Sequence, residues 1–213
     1  MERLVTQRRR RTPNPPADES RERVRDWLLL VYRVPSEPSR NRVSVWRELK
    51  RRGALFVQSC VCVFPDLPEC RAGLDAAIEK IETAEGSHFL FPIAGLDEPQ
   101  SQRLADAFRN LSAKEYAEII EECETKFHTE IEYERGRQNF SYEEAEEIRE
   151  DYEKIQRWLA RVVARDWFAS GQREQVSAAL ASCEAALDAF EEEVYRRAGT
   201  DQSAHDRRNP PLK

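Results

Sequence analysis

The forty residues from Trp27 to Asp66, WLLLVYRVPSEPSRNRVSVWRELKRRGALFVQSCVCVFPD, constrain the fold more than any other stretch of the chain. They open with an apolar run of strand length. Pro35 and Pro38 end that run, because proline donates nothing to a sheet ladder and biases the residue before it away from helix. Ser39 is an N-cap candidate for a helix from Arg40 to about Arg52, and Gly53 stands where a left-handed closing residue is expected. On that helix Val43, Trp46 and Leu49 recur at three-residue steps and predict its apolar stripe. Arg40, Arg47, Lys50 and Arg51 fall largely off that stripe. Ala54–Phe64 is β-rich. It reads either as one long strand or as a tight hairpin turning near Ser59, and no glycine-containing turn decides between them.

Pro65 and Pro68 break the run. A second helix is predicted from about Glu69 to Ala84, with Leu74, Ala77, Ile78 and Ile81 on its apolar face, and Gly86 ends it. Ser87–Ile93 reads as the last strand. With Trp27–Val34 as the first strand, the hairpin reading gives the order β-α-β-β-α-β. That is the ferredoxin-like arrangement, two helices on one face of a four-stranded antiparallel sheet. Beyond Pro99 strand signals vanish. Helices are predicted over Ser101–Leu111, over Ala113 to about Arg135 with Ser112 as cap, over Tyr142 to about Phe168, and over Arg173–Arg197. Ser141 and Glu144 form a capping box before the third of these. Long amphipathic helices with short loops imply an antiparallel bundle. The predicted class is therefore α+β: a ferredoxin-like domain over 23–98 and a helical bundle over 99–198. A disordered basic arm, 1–22, precedes them and a disordered tail, 199–213, follows.

Charge is divided along the chain. Residues 1–52 hold 15 Lys and Arg against 7 Asp and Glu, which leaves 19 against 33 in the remainder and a net −6 overall. A polyanion would therefore be met locally, at the basic N-terminal quarter. No apolar run approaches the roughly 18 residues that span a bilayer. No apolar segment follows Arg8–Arg11 as a secretory signal requires, so a cytoplasmic protein without membrane contact is expected. The five cysteines are odd in number and scattered, which argues against a disulfide framework.

Two basic features stand out. One is the first helix: Arg40, Arg42, Arg47, Lys50, Arg51 and Arg52, with few acids nearby in sequence. It suits a nucleic-acid backbone. The other is Lys154, Arg157, Arg161 and Arg165, spaced 3, 4 and 4 and so on one helix face. Such a row suits an oxyanion; for Arg157 and Arg161, pairing with the glutamate-rich second bundle helix is the favoured reading. Catalytic signals are sparse. His88, His128 and His205 lie in different elements, and no nucleophile elbow, phosphate loop or Glu-x-x-His pair is present. Cys60 and Cys62 share a strand face, with Cys70 nearby. Small buried side chains are the favoured reading over a thiol or metal centre. No cofactor, no metal and no enzymatic activity are expected; the alternatives are a thiol- or metal-dependent enzyme, a reductase or a nuclease, and a protein-interaction module without DNA binding.

The runs WLLLVYRVPSEPSRNRVSVWRELKRRGALFVQSCVCVFP, EYAEIIEECE and RWLARVVARDWF resemble the N-terminal domain of ChrB-type chromate resistance proteins, over about Asp26–Gly199. The resemblance implies a chromate-responsive transcriptional regulator that couples DNA binding to oxyanion sensing. The family's longer members carry a further C-terminal domain. The first half resembles, more distantly, the ferredoxin-like domain of CRISPR-associated spacer-acquisition nucleases and of phenylacetate-pathway repressors. The nucleases place a metal-binding aspartate at the end of their first strand. Here Tyr32, Arg33 and Val34 occupy that place, so metal-dependent cleavage is not expected. By analogy with those folds, a homodimer is expected. With this resemblance, the reductase alternative is a chromate reductase.

Overall fold

The computed structural model describes residues 26–208, with side chains described through residue 198. The basic arm read over 1–22 lies outside the described residues. The protein is α+β and mostly helical. In chain order the elements are β1 (Trp27–Arg33), α1 (Ser39–Arg51), β2 (Leu55–Gln58), β3 (Val61–Pro65), α2 (Pro68–Thr83) and β4 (Ser87–Ile93). Then come α3 (Glu98–Glu121), a π-helical segment (Glu122–Phe127), α4 (His128–Arg137), α5 (Tyr142–Ala164) and α6 (Arg173–Arg208). The chain forms two compact units. One holds the described residues through Val45 together with Phe56–Asp97; the other holds Trp46–Leu55 and the described residues from Glu98 onward. The sequence-based boundary at 98/99 does not anticipate that Trp46–Leu55 belongs with the second unit.

In the first unit the β-rich stretch is two strands joined by Ser59 and Cys60, which decides for the hairpin. The sheet order is β2-β3-β1-β4, and β1 pairs antiparallel with both β3 and β4. Alternation along β1 sends Leu28 and Leu30 inward, both fully buried, opposite the equally buried Phe64 and Cys62. Burying each such aliphatic side chain stabilises the fold by roughly 1.5–3 kcal/mol. Helix α2 buries Leu74, Ala77 and Ile81 and packs along β4. On the other face of β1, Leu29 and Val31 are half-buried opposite Phe91 and Phe89 of β4, which are 48% and 65% exposed.

Helix α1 departs from the predicted stripe. Val45 and Leu49 are buried, whereas Val43 and Trp46 are each 43% exposed. The three-residue step misleads because 300° of rotation falls short of a full turn, so 43, 46 and 49 drift around the helix.

In the second unit, the two helices predicted around Ser112 are one continuous run from Glu98 to Arg137. Ser112 is buried inside it and caps nothing. Tyr142–Ala164 stops short of the predicted Phe168, since Arg165 already leaves helical geometry. Helix α6 continues to Arg208, so the first ten residues of the tail read as disordered are helical. The capping box is present: the Glu144 amide donates to Ser141 Oγ at 3.1 Å. Gln138 closes α4 in a left-handed conformation, φ 60°. Asn139 bridges the two helices, donating to Glu134 at 2.7 Å and to Glu144 at 2.9 Å.

The π segment has a cause in the sequence. The buried residues Ile119, Cys123, Phe127 and Ile131 recur every four positions. An α-helix repeats every 3.6, so three such steps swing the stripe about 120° off the core. A wider π turn absorbs the surplus residue and keeps all four buried. In α5 and α6 the buried positions alternate steps of three and four, and the helices stay regular. Deleting the exposed Thr125 is therefore expected to leave a folded protein with an uninterrupted α-helix. Circular dichroism should read unchanged or higher helicity, and Tm should stay within a few degrees. A collapse of cooperative unfolding would show that the surplus residue is not what the π turn absorbs.

Candidate functional site

Helix α1 carries the strongest concentration of cations, and its own geometry sorts them. One side bears Val45, Glu48, Leu49 and Arg52; the other bears Arg42, Trp46, Lys50, Val43, Arg47 and Arg40. The buried side contains a carboxylate, and a buried charge must be paired. Glu48, only 3% exposed, takes both nearest arginines. Arg51 Nη2 donates to its two oxygens at 2.6 and 2.7 Å, and Arg52 Nε donates at 2.8 Å. Arg51 and Arg52, expected to face an anion, are thus held by an internal acid.

The remaining four are different. Arg40, Arg42 and Arg47 are exposed and enter no ion pair among the described residues. Lys50 lies over the Trp46 ring, 5.3 Å from its centroid, a contact that leaves the ammonium in water. The outer face of α1 is therefore cationic, with an exposed indole at its centre. Within the second unit, the end of α1 is pinned. Gly53 adopts φ +80°, and a Cβ there would lie 2.7 Å from Trp167 Cη2. Arg165 Nη1 donates to the Arg51 carbonyl at 3.2 Å, and its Nη2 donates to Glu115.

That pinning removes Arg165 from the predicted oxyanion row. Its side chain is 13% exposed and already bonded. Lys154 pairs with Asp151 at 2.6 Å and Arg157 with Glu153 at 3.1 Å, all exposed or half-exposed. Arg161 is exposed and enters no ion pair among the described residues. Lys154 and Arg161 are brought together in a cleft of about 330 Å³ between the π segment, α4 and α5, but Glu122, Glu130 and Asp151 line it too. Of the four, Lys154 and Arg161 line this cleft and Arg157 and Arg165 do not. The cleft was not legible as a site, although the four-residue apolar repeat that produces its π turn was.

The thiols are dispersed. Cys60 is exposed at the hairpin turn; Cys62, Cys70, Cys123 and Cys183 are buried. Burial, then the neighbouring Cys60, pushes the Cys62 thiol up to about 12, which opposes a thiolate pair. Burial, then Glu69, does the same to Cys70, again to about 12. Among the described residues no group of three or more His, Cys, Asp or Glu could hold a metal ion, and no helix is long and apolar enough to cross a membrane.

The family described as Protein ChrB, N-terminal, matches residues 42–201. Protein ChrB of Cupriavidus metallidurans (strain ATCC 43123 / DSM 2839 / NBRC 102507 / CH34) is 29% identical over 96 residues, which is 45% of this chain and 29% of that protein. The match thus spans less than a third of that relative's length. No solved structure matches.

Replacing Glu48 by Ala deletes the acceptor shared by two guanidinium groups. A loss of about 1–3 kcal/mol is expected in urea melts. An unchanged midpoint would mean that the ion pairs of Glu48 do not hold α1.

Proposed function

The chain belongs to the ChrB N-terminal family, and from that premise we propose that it is a cytoplasmic, DNA-binding regulator of chromate resistance that acts by binding rather than by catalysis. The observation that carries this reading is the outer face of α1. Arg40, Arg42, Arg47 and Lys50 project outward with no carboxylate among the described residues paired to them. Guanidinium and ammonium groups in that state release counterions on meeting phosphates, the main source of non-specific affinity for DNA. Trp46 supplies a flat apolar surface among them. The ferredoxin-like assignment of the first unit belongs to the same proposal, supported by its element order and by the strand order β2-β3-β1-β4.

Chromate or a similar oxyanion is the proposed effector. Arg157, Arg161 and Lys154 are its candidate ligands, because exposed pairs such as Arg157–Glu153 are worth at most about 1 kcal/mol and yield to a competing dianion. Arg165 is not among them. A second copy of the chain is the proposed partner, with the exposed Phe89 and Phe91, whose rings stack 6.1 Å apart, as the apolar contact. Sedimentation equilibrium is expected to give a dimer at micromolar concentration, and a Phe89→Glu change a monomer. A monomeric parent chain would remove the dimer.

Fluorescence anisotropy with DNA from the chain's own promoter tests the function. The expected result is binding that weakens steeply with salt and is relieved by chromate. Arg42→Ala and Arg47→Ala should each lower the slope of log K against log salt by about 1. No binding to any DNA at low salt would end the DNA reading, and binding indifferent to chromate would end the effector reading.

A further inference from the structure

We propose that the cleft beside the π segment is a binding site for a small elongated zwitterion, with an amine at one end, a carboxylate at the other and a flat apolar middle. The inference does not rest on the DNA reading. The cleft of about 330 Å³ is lined from one side by Glu122, Lys126 and Phe127 of the π segment and Glu130 of α4. Five residues of α5, from Asp151 to Arg161, line the other side. Its volume is at the small end of the range for ligand pockets. A π turn displaces the backbone outward and recurs at functional sites in proteins, and here it shapes one wall.

The polar groups divide into spent and unspent. Lys126 pairs with Glu122 at 2.5 Å and Lys154 with Asp151 at 2.6 Å. Glu130 and Arg161 enter no ion pair among the described residues. These two stand at opposite ends. Helices α4 and α5 run antiparallel through the turn at 138–141, so Glu130 is level with Asp151 and Glu122 with the stretch around Trp158 to Arg161. Ten residues of helix separate Asp151 from Arg161, roughly 15 Å of axis. Between them the floor is apolar: Phe127 and Ile155 are buried and Trp158 is half-buried.

The field is uneven along this length. Partial burial, then Asp151, Glu144, Glu134 and Glu147, pushes the Glu130 carboxyl above its ordinary value. An ammonium placed there relieves that crowding, whereas an anion deepens it. At the other end Arg161 offers a fork for a carboxylate. The zwitterion meets both ends of the cleft, whereas the oxyanion effector proposed above meets only its cations, Lys154 and Arg161.

The probe is 4-(aminomethyl)phenylacetate, with 4-methylphenylacetate lacking the amine and 4-methylbenzylamine lacking the carboxylate. Titration followed by NMR should give a dissociation constant on the order of 1 mM or tighter for the zwitterion. Each single-ended analogue should bind at least about tenfold more weakly. Glu130→Gln and Arg161→Met, both at exposed positions, should each weaken the zwitterion by a similar factor while circular dichroism stays unchanged. Deleting Thr125, which straightens the π turn, should abolish binding. Equal binding of the amine-free analogue, binding retained by the Thr125 deletion, or no binding of the zwitterion at tens of millimolar would each overturn the assignment.

Discussion

The buried carboxylate of Glu48 is the interaction on which the rest of the structure depends. A carboxylate 3% exposed on the inner side of a helix needs cationic partners. It finds them three and four residues on, in Arg51 and Arg52. By pairing with those two, it leaves Arg40, Arg42, Arg47 and Lys50 as the cationic outer face of α1. The same last turn is held by the guanidinium of Arg165 on the Arg51 carbonyl and by Trp167 against Gly53. The cations that stay outward therefore sit on a helix whose end is fixed within the second unit. A rigid array of charges meets phosphates with less ordering cost than a loose one.

A second network closes the second unit beyond α5. Asp166 is 1% exposed. It accepts from the Tyr116 hydroxyl at 3.2 Å, from the Ser170 amide at 3.2 Å and from Arg173 Nε at 3.3 Å. Burial, then Asp166, raises the Tyr116 hydroxyl above its ordinary value, so it remains a donor at neutral pH. Arg109 Nε adds a bond to the Phe168 carbonyl at 3.0 Å. These contacts use residues of the RWLARVVARDWF run that the family resemblance singles out, and here they serve the packing of that run.

Much of the fold was legible because its signals are local. The proline pair after β1, Gly53, the Ser141–Glu144 box and the apolar run of β1 each act within a few residues and each appears in the structure. Tertiary packing decided the rest. Ser112 reads as a cap, yet the apolar residues on both sides continue one helix face and carry the helix through it. The 4-4-4 spacing of Ile119, Cys123, Phe127 and Ile131 was in plain view. It reads as a π turn only once all four positions are known to be buried. The candidate site divided in the same way. The local excess of cations marked Arg40, Arg42, Arg47, Lys50, Arg51 and Arg52 together, whereas the pairing of Arg51, Arg52 and Arg165 with acids or backbone carbonyls depends on which side of each helix faces the interior.

The proposed DNA contact requires Arg40, Arg42 and Arg47 to be free for phosphates while Arg51, Arg52 and Arg165 are held internally. Side-chain Nε–Hε NMR of the arginines, recorded while promoter DNA is added at low salt, reads this directly. The resonances of Arg40, Arg42 and Arg47 are expected to shift on binding, with those of Arg51, Arg52 and Arg165 staying in place. DNA binding that leaves the first three unmoved, or that shifts the Glu48-bound pair instead, would contradict the account.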